Sequence, residues 1–136
     1  MKLFELFDKN LEFKHLKYSN GDVYQYKIPG IEHLLEIAIE IVEDKIYELT
    51  FSINEQFHLT NQNKSQFYIF SAVVQTVKNW LNQHPNNMII LQGNTNTQHR
   101  FYEKFFPSAL KGYKINLSYQ HDEYPEERLI SIENKR

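Results

Sequence analysis

The hydrophobic pattern of this chain changes its period between residues 35 and 81, and this change limits the fold more than any other feature. Two series of apolar residues first alternate with other residues: Leu35, Ile37, Ile39 and Ile41, then Tyr47, Leu49, Phe51 and Ile53. Further on, apolar residues recur at spacings of three and four: Phe67, Phe70, Val74, Val77 and Leu81. Period two is typical of a strand with one buried face, and spacings of three and four of an amphipathic helix. We therefore predict two strands, joined by a tight turn at "EDK", and then a long helix.

The flanking segments extend this order. Asn20-Gly21 is a turn dipeptide between two β-prone runs, which predicts an N-terminal hairpin. The glutamates between residues 35 and 43 also allow a helix there, but isoleucines at period two favour a strand. After the long helix, "MIILQG" is typical of a short buried strand. "NTNTQHRFYEKFF" then predicts a helix that ends at Pro107, and "YKINLSY" a final strand.

The predicted fold class is α+β: antiparallel N-terminal hairpins followed by helix, strand, helix and strand. A chain of 136 residues has the length of one domain, 1–136, and we expect its core at about 11–120. Residues 121–136 contain "HDEYPEER" and "NKR", which predict a loop and a polar C-terminal tail.

The composition argues against several classes of function. The formal charge is −2, from 15 basic and 17 acidic residues, so no overall positive field attracts nucleic acid or an anionic membrane. There is no cysteine, and the six histidines show no metal-binding spacing. The opening "MKLFELFDKNLEF" is interrupted by charges, unlike a signal peptide. We therefore expect a soluble, cytoplasmic protein with no metal, no nucleic-acid partner and no membrane contact.

The order of elements over residues 35–120, together with "HRFYEKF", resembles the core of the GNAT acyltransferase superfamily. A second likeness is closer. The run Thr60 to Asn63 before "IFSAVV", then "GNT" at 93–95, Arg100 and Tyr102, is similar to families of short uncharacterised bacterial proteins with no established function. The first resemblance implies a GNAT-like mixed sheet. For an active acyltransferase it also implies an opening between the strands at 46–53 and 88–92, which admits a pantetheine arm.

The GNAT resemblance places the coenzyme A diphosphate at the start of the long helix, in the turn "HLTNQNKSQF". The cofactor-binding residues would then be Asn61, Asn63, Lys64 and Ser65. Backbone N–H groups at a helix start can bind phosphate, and glycines allow the close approach. No glycine lies between Gly30 and Gly93. The alternative is that Asn63 or Ser65 caps the helix, its side chain occupying the donors a diphosphate needs.

Tyr102 and Arg100 are the other candidates for a site. The resemblance implies that Tyr102 would be the catalytic general acid, protonating the departing thiolate of coenzyme A. Alternatively, Tyr102 packs beside Phe101, Phe105 and Phe106 with its hydroxyl at the rim. Arg100 either binds a carboxylate or phosphate or braces the helix. The glutamates of the two long strands lie opposite the apolar face, so none of them stands out as a base.

Two main hypotheses of function follow. The first is a non-catalytic binding or regulatory module on a GNAT-like scaffold with no cofactor, in which Tyr18, Tyr24 and Tyr26 either form an exposed recognition surface or belong to the core. The second is a divergent N-acyltransferase that uses acetyl-CoA. An inhibitor or immunity-type protein that blocks a partner's surface cannot be separated from the first. An unknown protein partner, or a homodimer through a strand edge, fits the first hypothesis.

Overall fold

The computed structural model describes residues 11–28, 34–53, 63–92, 96–122 and 124–135, without the side chains of residues 53, 63–67, 97 and 124–127. The elements, in chain order, are β1 (Phe13–Tyr18), β2 (Gly21–Lys27), β3 (Leu34–Glu43), β4 (Ile46–Ile53), α1 (Asn63–Gln83), β5 (Met88–Leu91), α2 (Asn96–Ala109), β6 (Tyr113–His121) and β7 (Tyr124–Asn134). Neither of these two helices has the length and apolar character needed to cross a membrane.

The seven strands form one sheet in the order β1-β2-β3-β4-β5-β7-β6. Among the described strands, β4 and β5 are the one parallel pair, and every other neighbouring pair is antiparallel. Helix α1 provides the long crossover that a parallel pair requires. The α+β prediction is therefore confirmed: N-terminal hairpins come first, and a mixed sheet with two helices follows.

The alternation in β3 separates a buried face from an exposed one. Leu35, Ile37 and Ile39 are fully buried, whereas Glu36 and Glu40 are exposed. The β3–β4 turn is tight, because Glu43 pairs with Ile46 across two residues and Lys45 takes a positive φ of 66°. The strand interpretation of this segment was therefore correct, and the helical alternative was wrong.

Both helices cover the same face of the sheet. In α1, Trp80 contacts Tyr47 of β4, with ring centroids 4.7 Å apart. In α2, Tyr102 contacts Phe51, which has the same parity as Tyr47 on β4. The predicted apolar stripe of α1 is buried where its side chains are described: Ile69, Phe70, Val73, Val74, Val77, Trp80 and Leu81.

Polar contacts join the N-terminal hairpin to α1. Trp80 donates its indole N–H to a carboxylate oxygen of Asp22 at 2.8 Å, and His15 Nε2 lies 2.8 Å from the other oxygen. Tyr26 shares a 2.7 Å hydrogen bond with Thr76. Tyr24 and Tyr26 are fully buried, so the exposed tyrosine surface is wrong for these two residues, while Tyr18 is exposed.

Two predictions from the sequence were wrong: the polar C-terminal tail and the end of helix α2 at Pro107. The segment predicted as a loop and polar tail contains β7, which lies between β5 and β6 and places Ile130 and Ile132 in the core. Helix α2 continues to Ala109, two residues beyond Pro107. A proline in the last turn removes only one helical hydrogen bond. Leu110 still donates to the carbonyl of Phe106 at 2.8 Å, so this turn stays closed.

Candidate functional site

The parallel pair β4–β5 is joined over only part of the length of β4. Three residue pairs hold the strands together: Ile46 with Met88, Tyr47 with Ile89, and Glu48 with Ile90. Strand β5 continues beside β7 as far as Leu91, and β4 continues beside β3 as far as Ile53. From Leu49 onward, no described strand pairs with the β5 side of β4. Strand β5 ends at Leu91, so this edge of β4 is left without a described strand partner beyond Glu48. We call the region beside this edge the β4–β5 cleft.

Tyr102 lies beside the unpaired part of β4. Its ring meets Phe51 edge-on at 6.5 Å and also contacts Phe70 and Phe106, with centroids 5.8 and 5.0 Å away. Phe51 stands three positions beyond Glu48, the last β4 residue that pairs with β5. Helix α2 therefore places Tyr102 at the β4–β5 cleft.

The Tyr102 hydroxyl is buried without a hydrogen-bond partner. The residue is 2% exposed, and no described polar atom lies within bonding distance of the hydroxyl oxygen. A buried hydroxyl without a partner costs about 1–3 kcal/mol, so it is an uncommon feature of a folded chain. This position is therefore one that a ligand or a water molecule would stabilise.

The space around Tyr102 is narrow. Tyr102, Ile69, Gln98 and Phe101 line a cavity of about 10 Å³. A cavity of that size holds about one water-sized group. Gln98 is buried and stands one helical turn before Tyr102. The cavity therefore combines an apolar wall with a hydroxyl and a side-chain amide.

Burial changes the acid–base behaviour of Tyr102. The loss of solvent raises the pKa of its phenol well above the ordinary value of 10. Desolvation disfavours the phenolate, which carries a charge, over the neutral phenol. At neutral pH Tyr102 is therefore a persistent hydrogen-bond donor.

Among the remaining predicted site residues, Arg100 is the one whose side chain the structure describes. Arg100 has an exposed side chain, and it stands two positions from Tyr102 on α2, a spacing at which side chains point to different sides. Asn61 lies outside the described residues. The backbones of Asn63, Lys64 and Ser65 begin α1, but their side chains are outside the description. The binding of the coenzyme A diphosphate at the start of α1 therefore stays a prediction.

The sequence did not reveal the ion pair that joins α2 to the sheet. Arg128 donates to Glu103 at 2.6 Å, and His99 Nε2 lies 4.0 Å from the other oxygen of Glu103. The i,i+4 spacing of His99 and Glu103 was visible in the sequence, but the strand that carries Arg128 had not been predicted. Among the described residues, no group of three or more histidine, aspartate or glutamate side chains is arranged to hold a metal ion.

Comparison with models of protein families shows the family of this chain. The sequence model of DUF6934, a family of unknown function, matches residues 9–124. The chain belongs to DUF6934. The matched residues include all of β4 and β5 and Tyr102, so the β4–β5 cleft lies inside the family's domain. No curated protein and no solved structure matches this DUF6934 chain.

Proposed function

We propose that this DUF6934 chain is a non-catalytic binding or regulatory module on a GNAT-like scaffold, with its ligand in the β4–β5 cleft. One observation carries the proposal: β4 loses its β5 partner after Glu48, and the unbonded hydroxyl of Tyr102 lies beside the edge that is left. An unpaired strand edge offers N–H and C=O groups to an extended ligand that carries amides. The Tyr102 hydroxyl adds one donor in an apolar surrounding.

The non-catalytic part of the proposal rests on the pKa of Tyr102. A general acid is most effective when its pKa lies near the working pH. Burial raises the pKa of this phenol far above that range, and its described neighbours are the apolar rings of Phe51, Phe70 and Phe106. These surroundings favour a hydroxyl that binds a ligand over one that transfers a proton.

The second candidate is a divergent acetyl-CoA-dependent N-acyltransferase, and the β4–β5 cleft is the observation in its favour. The GNAT resemblance requires an opening between these two strands, and the strands pair through three residue pairs only. In this case Asn61, Asn63, Lys64 and Ser65 would bind the phosphates, and Tyr102 would act as the acid. We also propose that this chain is a bacterial protein with a cytoplasmic location.

The two candidates are separated by a titration with acetyl-CoA. A protein that binds the coenzyme gains ~2.7 kcal/mol at a hundredfold excess over the dissociation constant, seen as a rise in melting temperature. The module predicts no saturable rise with acetyl-CoA and no release of free thiol when primary amines are added. A saturable rise together with thiol release would overturn the non-catalytic proposal in favour of the acyltransferase.

The binding role needs a positive test as well. N-butylacetamide is a suitable probe, because its single amide can reach the Tyr102 hydroxyl while its short apolar chain lies along the unpaired edge of β4, outside the cavity of about 10 Å³. We expect it to shift the NMR resonances of Tyr102, Phe51 and Gln98 in a saturable way. If neither N-butylacetamide nor acetyl-CoA affects these residues, the β4–β5 cleft is not a binding site.

A further inference from the structure

A second, larger cavity lies between the end of β3 and the β6–β7 turn. It has a volume of about 320 Å³ and is lined by Glu43, Tyr119, Gln120, His121 and Asp122. Cavities that bind small molecules have volumes of about 300–1,000 Å³. We call it the Glu43 pocket.

The Glu43 pocket is separate from the β4–β5 cleft. Glu43 pairs with Ile46, at the beginning of β4, whereas the cleft lies beside Phe51. Five residues of extended strand between Ile46 and Phe51 correspond to about 16 Å. A ligand in the Glu43 pocket would therefore be distinct from a ligand at Tyr102.

Two residues that line the pocket, far apart in the sequence, contact each other. His121, which is 6% exposed, donates from Nε2 to Oε1 of Glu43, 78 positions away. The ring of Tyr119 lies 6.5 Å from that of His121. This contact holds the β6–β7 turn against the end of β3, so the two walls of the pocket have a defined separation.

Three carboxylates lie near enough to the phenol of Tyr119 to disfavour its charged form. Burial raises the pKa of its phenol, and so do the nearby carboxylates of Glu43, Asp122 and Glu133. Lys114 stands opposite Glu133 in the β6–β7 ladder, and Lys45 follows Glu43 by two positions in the turn. The described residues that line the pocket include two carboxylates, Glu43 and Asp122, and neither a lysine nor an arginine.

From these observations we propose that the Glu43 pocket binds a small ligand that carries a protonated primary amine. An ammonium group has three N–H donors and no acceptor, which matches the carboxylate acceptors of Glu43 and Asp122. The ring of Tyr119 adds a face toward which a cation is attracted. The same field repels an anionic ligand.

The test is isothermal titration of the full chain with putrescine, a diamine, at low ionic strength. Its matched control ligand is 1,4-butanediol, in which hydroxyls replace both ammonium groups. We expect saturable binding of putrescine and no heat from butanediol. Either no saturable heat with putrescine at millimolar concentration or equal binding of the diol would overturn the proposal.

Variants distinguish binding in the Glu43 pocket from attraction to the net charge of the protein. Glu43→Gln and Asp122→Asn should each weaken putrescine binding by about tenfold or more. The control is Glu36→Gln, which removes one negative charge from an exposed residue that instead accepts a hydrogen bond from Gln25. Binding in this control should stay unchanged.

Two outcomes of the variant series would contradict the proposal. If Glu36→Gln weakens binding as much as Asp122→Asn does, the diamine responds to net charge and not to the pocket. If MgCl₂ displaces putrescine, and if Mg²⁺ binding is lost in the same variants, the site selects a divalent cation and not an amine. Asp122→Asn keeps the His121–Glu43 contact, so its result is informative even if Glu43→Gln fails to fold.

Discussion

The indole N–H of Trp80 donates to the Asp22 carboxylate at 2.8 Å, across 58 residues of sequence. The same carboxylate binds His15 at 2.8 Å, and Asp22 is 8% exposed. One buried side chain therefore joins β1, β2 and α1. Because β1 lies at the edge of the sheet, this contact decides how firmly that edge is attached to the core.

We predict that Asp22→Asn lowers the free energy of unfolding by about 1–3 kcal/mol. An asparagine can accept from Trp80 with its oxygen, but it then presents its amide N–H group to His15, which must change tautomer to accept it. The variant also loses the negative charge that strengthens both hydrogen bonds. Denaturant unfolding followed by Trp80 fluorescence measures the effect. The control Glu36→Gln alters an exposed pair and should change stability by less than about 0.5 kcal/mol. Equal effects in the two variants would contradict this role of Asp22.

Tyr102→Phe and Tyr26→Phe should have different effects on stability. Tyr26 shares a hydrogen bond with Thr76, so its loss should cost about 1 kcal/mol. The buried hydroxyl of Tyr102 has no partner among the described residues, so removing the oxygen should leave the stability unchanged or raise it by about 1 kcal/mol. Urea titrations of the two variants test this. A loss at Tyr102 as large as that at Tyr26 would show that the Tyr102 hydroxyl is bonded in solution.

We predict that stability falls between pH 10 and 12. Burial raises the pKa of Tyr26 to about 12 from 10.0, and the Thr76 hydrogen bond only partly offsets this rise. Above pH 10 the unfolded chain loses the Tyr26 proton while the folded chain keeps it, so the free energy of unfolding decreases until about pH 12. The decrease from Tyr26 alone is about 2–3 kcal/mol.

Urea unfolding at a series of pH values measures this decrease. Burial also raises the pKa of Tyr24 and of Tyr102, so base should unfold the protein cooperatively. Tyr26→Phe should make the decrease smaller. A stability that stays constant up to pH 12 would contradict the burial of these phenols.

Gly21→Ala should be far more damaging than Gly112→Ala. A Cβ at Gly21 would lie 1.9 Å from the carbonyl oxygen of Ile39 in β3, so the backbones of β2 and β3 would have to separate. A Cβ at Gly112 meets no atom within 4 Å, and its φ of +92° costs about 1 kcal/mol in strain. Circular dichroism melts should therefore show a folded Gly112→Ala and a Gly21→Ala that is mostly unfolded. Similar melting temperatures would contradict this packing of the hairpin.

Local periodicity explains why much of the fold was predictable. The alternation of Leu35, Ile37 and Ile39 and the helical spacing of Phe70, Val74 and Val77 each report one buried face, and both segments have the predicted structure. Strand β7 was missed because its apolar part is only "LISI" between charged residues. That strand is stabilised by pairing with β5 and β6 on its two sides, which a local pattern does not contain.

The candidate site was less predictable than the fold. Tyr102 was identified from a resemblance, but its hydroxyl was expected at the rim in the packing alternative and is in fact buried. The contacts that bury it involve Phe51, Phe70 and Phe106, and two of these belong to other elements. The Glu43 pocket depends on a turn whose strand was not predicted. Such sites are formed by contacts over long sequence separations, so a pattern along the chain does not reveal them.

Our central proposal is that β4 extends beyond Glu48, its last residue paired with β5, and that a ligand binds at Tyr102 beside the edge that is left. Its most direct test is the NMR titration of N-butylacetamide into the wild-type chain and into Tyr102→Phe. We expect saturable shifts at Phe51 and Gln98 in the wild type, and affinity about tenfold weaker in the variant, which lacks the hydroxyl donor. Unchanged affinity in Tyr102→Phe, or shifts confined to residues away from β4 and α2, would contradict the account.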